Sequence, residues 1–96
     1  MLKPLDKILT NNIRLMVVSV LVKVNSCEFN YLKKITNSTQ GNLSIQLKKL
    51  AQIEYIVISK SFEKNYPKTS CSVTKKGVKA FQEHFKALQS YKDLEI

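Results

Sequence analysis

Ninety-six residues and 11.0 kDa make one small domain, residues 1–96, and leave no mass for a second core. Hydrophobic residues at 44%, charged residues at 24%, two glycines and two prolines exclude a disordered or linker-rich chain. A net charge of +9 with pI near 9.7 calls for a polyanionic partner, either nucleic acid or an anionic membrane.

Residues 29 to 82 hold ten Lys against two Glu, so the middle of the chain carries nearly all of the excess charge. The longest apolar stretch, Leu15 to Val22, is broken by Ser19 and flanked by Arg14 and Lys23. A membrane span needs about 20 apolar residues, so no membrane partner is expected. No secretory pattern opens the chain, which points to a reducing, cytoplasmic compartment and to Cys27 and Cys71 as thiols.

Apolar residues from Ile8 to Val24 run too long for a strand and predict one largely buried helix, bent near Thr10 to Asn12. After Asn25-Ser26, Cys27 to Phe29 reads as a very short extended segment. Asn30 would then N-cap a two-turn helix whose inward residues are Tyr31 or Leu32, and Ile35. Thr36 to Thr39 is a cluster whose side chains bond their own backbone, a turn with Thr39 as the next N-cap. Leu43, Leu47 and Leu50 follow at helical spacing, and the helix stops near Ile53.

Tyr55 to Phe62 and Thr69 to Thr74 are β-prone and flank the polar stretch Glu63 to Lys68, predicting a hairpin with a six-residue basic tip. Thr74 can cap a last helix, on which Val78, Phe81, Phe85 and Leu88 form an apolar seam continued by Tyr91 or Lys92. The order is that of a winged helix-turn-helix: α+β, mostly α, with a small antiparallel sheet and a long C-terminal helix. Its parts would be a helix-turn-helix at about 30–52, a wing at about 55–74 and a dimerisation helix at about 75–93, with Cys27 on a third strand.

With Leu43 at zero on a 3.6-residue wheel, Leu47 and Leu50 fall within about 40° of it. Ser38, Asn42, Ile45 and Lys49 take the far side, with Gly41 and Lys48 on one edge and Gln46 on the other. Such a helix fits the DNA major groove, where Asn or Gln pairs with adenine, Lys reaches guanine and an apolar group meets the thymine methyl. Gly41 costs helix stability, roughly 1 kcal/mol against Ala, and lets a backbone come close. Thr39 and Gln40 join the base or phosphate contacts, and Lys60, Lys64 and Lys68 of the wing would contact phosphates or a minor groove. Lys33, Lys34, Lys48, Lys49, Lys64 and Lys68 on one face would neutralise about six phosphates.

The segments Thr39 to Ser44, Leu47-Lys48-Lys49-Leu50, Tyr55-Ile56, Lys60-Ser61-Phe62, Pro67-Lys68-Thr69 and Val73 to Gly77, with Ile13-Arg14-Leu15, resemble the small single-domain winged-helix regulators of the broad MarR/ArsR type. The likeness spans about residues 5 to 90. It implies a bacterial or archaeal transcription factor that dimerises and places one recognition helix per half-site in the major groove. Such sequences usually carry Gly where Glu54 stands and often a basic residue where Ile45 stands.

The distal seam, Phe85, Leu88 and Tyr91, is expected to pair with a second subunit, joined by the first helix. Two Cys and one His make no zinc set, and no phosphate-binding glycine loop is present, so neither catalysis nor a cofactor is expected. His84 reads as a surface or interface side chain. Cys27 and Cys71 would lie on neighbouring strands, where a disulfide is geometrically conceivable, although buried structural thiols are commoner. The reading is a homodimeric repressor of promoter DNA with no effector identified. A winged helix serving RNA or protein recognition is the other class.

Overall fold

The computed structural model describes residues 1–96. Its first helix, α1 (Asn12–Val24), begins where the Asn11 side chain accepts a hydrogen bond from the Arg14 amide at 3.0 Å. There is no bent helix from Ile8. Asp6 Oδ1 accepts from the amides of Ile8 (2.8 Å) and Leu9 (3.3 Å), turning the chain before Asn11. Two short polar side chains that satisfy nearby backbone donors stop the helix from extending backwards, and Leu9 enters the core from this turn instead.

Strand β1 (Ser26–Glu28) ends one residue earlier than expected, and Phe29 already belongs to α2 (Phe29–Thr36). Asn30 therefore sits inside the helix, and Glu28 occupies the cap position without a side-chain bond to the helix backbone. Leu32 and Thr36 face inward, while Tyr31 and Ile35 are exposed. Thr36 is tolerated there because its hydroxyl reaches the Leu32 carbonyl and Ser38 Oγ, each at 2.7 Å. Asn37, at φ 51°, closes the helix, with amide bonds from Asn37 to Lys34 and from Ser38 to Lys33.

Helix α3 (Gln40–Gln52) is capped by Thr39, which accepts from the Asn42 amide at 3.2 Å. It ends in the same motif as α2: Glu54 adopts φ 65°, its amide bonds to Ala51, and the Tyr55 amide bonds to Leu50. A left-handed residue other than Gly costs about 1 kcal/mol.

Strands β2 (Ile56–Glu63) and β3 (Tyr66–Val73) form the wing, and the sheet order is β1-β3-β2, all antiparallel. The tip is two residues, Lys64 and Asn65, at φ 52° and 68°, rather than six. Positive φ at both central residues gives the turn whose twist matches the strands. Pro67 is compatible with the strand because β1 pairs only with Ser70 to Ser72, leaving β3 an open side at Pro67.

Thr74 caps α4 (Lys75–Lys92) by accepting from the Gly77 amide at 3.0 Å, and its hydroxyl donates to the Glu54 carbonyl at 2.6 Å. Leu9, Val17, Val18, Leu21, Leu32, Leu43, Leu47, Leu50, Tyr55, Ile56 and Cys71 form the core, each aliphatic side chain contributing about 1.5–3 kcal/mol by burial. The inward line of α4 is Gly77, His84 and Ala87, so the seam through Phe85 is rotated towards solvent.

Candidate nucleic-acid interface

The α1–α3 packing fixes which residues α3 shows. Leu43, Leu47 and Leu50 are at most 2% exposed, which turns Gly41, Asn42, Ile45, Lys48 and Lys49 outward; Ile45 is 53% exposed. Thr39 and Gln40 are exposed at the amino end of the helix, and Ser38 is half-buried against Thr36.

Gln46 does not join that face. It is 8% exposed and bonded on both sides: Arg14 Nη1 donates to its Oε1, and its Nε2 donates to Asn42 Oδ1 at 3.0 Å. An apolar helix carrying one arginine needs a polar partner for that guanidinium, and Gln46 supplies it. The signal for Arg14 in the sequence is a lone charge set among aliphatic residues.

Beside α3, a cleft of about 220 Å³ opens towards the wing, lined by Phe29, Gln40, Ser44, Leu47, Lys48, Ile58, Lys60 and Thr69. It brings Lys48 of α3 and Lys60 of β2 to one place. Lys64 stands exposed at the wing tip. Lys68 is committed elsewhere, with Nζ 2.8 Å from Glu28 Oε1 and 2.6 Å from Glu63 Oε2. Hydrogen bonds to Glu28 and Glu63 raise the Lys68 pKa, and the bond from Lys68 lowers that of Glu63. In the free chain Lys68 thus belongs to an ion-pair network that ties the outer part of the wing to β1.

On α4, Phe85 and Tyr91 are each 45% exposed, and Leu88 is half-buried. Phe85 stacks on Phe81 with ring centroids 4.8 Å apart. His84 is neither surface nor interface. It is 3% exposed, and its Nδ1 accepts from the Asp6 amide at 3.1 Å, while Asp6 Oδ2 accepts from the Tyr55 hydroxyl at 2.6 Å. These bonds pin the amino-terminal segment across α4.

Cys27 and Cys71 are free thiols directly opposite one another in the β1–β3 register. Burial, with Glu28 alongside, raises the Cys27 pKa; burial first and Cys27 second push Cys71 up to about 11. Both are poor nucleophiles at neutral pH. No helix is long and apolar enough to cross a membrane.

Residues 13–92 match the family model described as "Winged helix DNA-binding domain". The chain is 38% identical over 90 residues to the protein MJ0432 of Methanocaldococcus jannaschii, covering 93% of this chain and 98% of that one. A transcriptional regulator homologue from Pyrococcus horikoshii OT3 superposes with a TM-score of 0.82 at 23% identity, over 90% of this chain and 85% of that chain. The reduced form of the transcriptional regulator YodB from Bacillus subtilis gives 0.71 at 25% identity, over 90% and 82%. From residues and fold together, the chain belongs to the winged helix DNA-binding domain family and has the architecture of a winged helix-turn-helix regulator.

Proposed function

We propose that this protein is a homodimeric transcriptional repressor that binds double-stranded DNA in a sequence-dependent way. The carrying observation is the outward face of α3, where Asn42, Ile45 and Lys49 stand exposed next to the cleft that joins Lys48 to Lys60. Thr39 and Gln40 would meet bases or adjacent phosphates at the groove edge, and Lys60 and Lys64 would follow the backbone or enter the minor groove. Ser38, held by Thr36, would orient the turn.

Dimerisation is supported by α4. A 96-residue domain is expected to have a radius of gyration of about 12.5 Å, whereas this chain has 14.8 Å and extends over 60 Å. Phe85, Leu88 and Tyr91 would be covered by a second copy, setting two recognition helices on one duplex.

The test is anisotropy of a labelled duplex from upstream of the protein's own gene against a scrambled duplex, at about 50 and 200 mM salt. With Lys33, Lys34, Lys48, Lys49, Lys60 and Lys64 exposed, about six phosphates per protomer at about −0.9 each set the expected salt slope. Tighter binding to the upstream duplex that survives added salt supports a sequence-reading regulator. Equal binding that vanishes with salt overturns sequence reading and points to RNA or protein partners.

A further inference from the structure

We infer that Arg14 and Gln46 lock the side-chain amide of Asn42 with its NH2 group turned outward, so that Asn42 selects guanine rather than adenine. The inference rests on the duplex-reading function proposed above and names the base at one contact.

The polarity of the chain of hydrogen bonds follows from its one irreversible member. A guanidinium has only donors. Arg14 Nε gives its hydrogen to the Ile8 carbonyl at 2.7 Å, and Nη1 gives one to Gln46. The group of Gln46 that meets Arg14 must therefore be oxygen, since the amide nitrogen would set N–H against N–H. Its NH2 then faces Asn42 and needs an acceptor there, which only Asn42 Oδ1 supplies. Asn42 Nδ2 is left without a partner inside the chain, on an exposed residue of the first turn of α3.

The backbone beneath it is fixed as well, because the Asn42 amide is held by the Thr39 hydroxyl. Gln46 is shielded from water, which strengthens both of its bonds. Pairing an asparagine with adenine needs a carboxamide that donates to N7 and accepts from N6, whereas guanine offers two acceptors, N7 and O6. An amide whose oxygen is held by Gln46 and whose nitrogen leads outward is complementary to the second pattern. Arg14 and Gln46 are positioning residues, acting through Asn42.

Two readouts on the full chain test this. In the free protein, ¹⁵N relaxation of the Asn42 side-chain amide should show a rigid group, and Gln46→Glu, which still accepts from Arg14 but offers Asn42 an acceptor in place of a hydrogen, should turn that amide over so that its oxygen leads outward. If Gln46→Glu melts early, Arg14→Gln serves instead, since a carboxamide there no longer dictates the direction of the chain. Selection from a randomised duplex pool should then enrich guanine at one position. That preference should fall about tenfold in Asn42→Ala and by a similar factor in Gln46→Glu, without adding in the double variant. A mobile Asn42 amide in the wild-type protein, or adenine at the position it selects, overturns the inference. A rigid amide with no base selected supports the positioning and overturns the sequence-reading function instead.

Discussion

Gly77 packs so closely on Tyr55 that a Cβ at position 77 would stand 3.0 Å from the Tyr55 carbonyl carbon and well inside contact with its oxygen. The glycine is helical with ordinary φ, so its role is approach and not conformational freedom. Because α4 enters the fold here, with Thr74 bonded to both Glu54 and Tyr55 carbonyls, the backbone has little room to retreat. Gly77→Ala gains about 1 kcal/mol of helix propensity, yet the overpacking, typically 1–3 kcal/mol or more against rigid backbone, should prevail. Thermal unfolding should show a lower Tm than wild type; an unchanged or higher Tm would mean that α4 shifts freely.

Gly41 is the opposite case. A Cβ there meets nothing within 4 Å, so inside the folded chain the glycine has no packing reason. Gly41→Ala should stabilise the free protein by up to about 1 kcal/mol and still weaken duplex binding, because the added methyl occupies space on the outward face of α3. Melting and anisotropy on the same variant check both signs, and equal or tighter duplex binding would remove Gly41 from the interface.

Local signals made much of this legible. The Thr39 cap and the Leu43, Leu47, Leu50 stripe depend on neighbours within a turn or two, and both stand as read. The burial of Gln46 and His84 and the pairing of Lys68 escape the sequence for one shared reason. Each is decided by a partner distant in sequence: Arg14 on another helix, Asp6 at the far end of the chain, and Glu28 on the strand beside the wing. Polar residues carry no periodic mark of burial, since burial becomes acceptable only once the partner is in place. Pro67 and the run of polar residues suggest a longer loop at the wing tip than the two residues that form it. The open side of β3 at that level permits the proline, and Lys64 and Asn65 together make the turn.

Tyr55 makes the fold sensitive to alkali. Burial first, and then its bond to the Asp6 carboxylate, push its pKa from 10 up to about 12. The neutral phenol is favoured in the folded state, so this stability is complete below pH 10 and is lost as pH rises through about 12. Tyr55→Phe forfeits a hydrogen bond to a charged acceptor, about 1.5–3 kcal/mol, and carries no ionisable group. Denaturant titrations should show wild type more stable at pH 7 and the gap closing between pH 10 and 12; a gap constant across that range would contradict the role of the Tyr55–Asp6 bond.

The outer seam of α4 sets the last expectation. Phe85 is nearly half exposed and contacts Phe81 of its own helix, so a charge at position 85 should leave the monomer fold intact. In a dimer built on this seam the same charge would be buried without a partner, which is strongly unfavourable. Phe85→Glu should therefore keep the helical circular dichroism of wild type while its mass in sedimentation equilibrium falls from twice 11.0 kDa to 11.0 kDa. Affinity for a two-half-site duplex should fall with it, because a monomer places one recognition helix where the dimer places two. A wild-type protein that sediments at 11.0 kDa at micromolar concentration would reject the seam as a dimer interface and leave α4 as the roof of its own core.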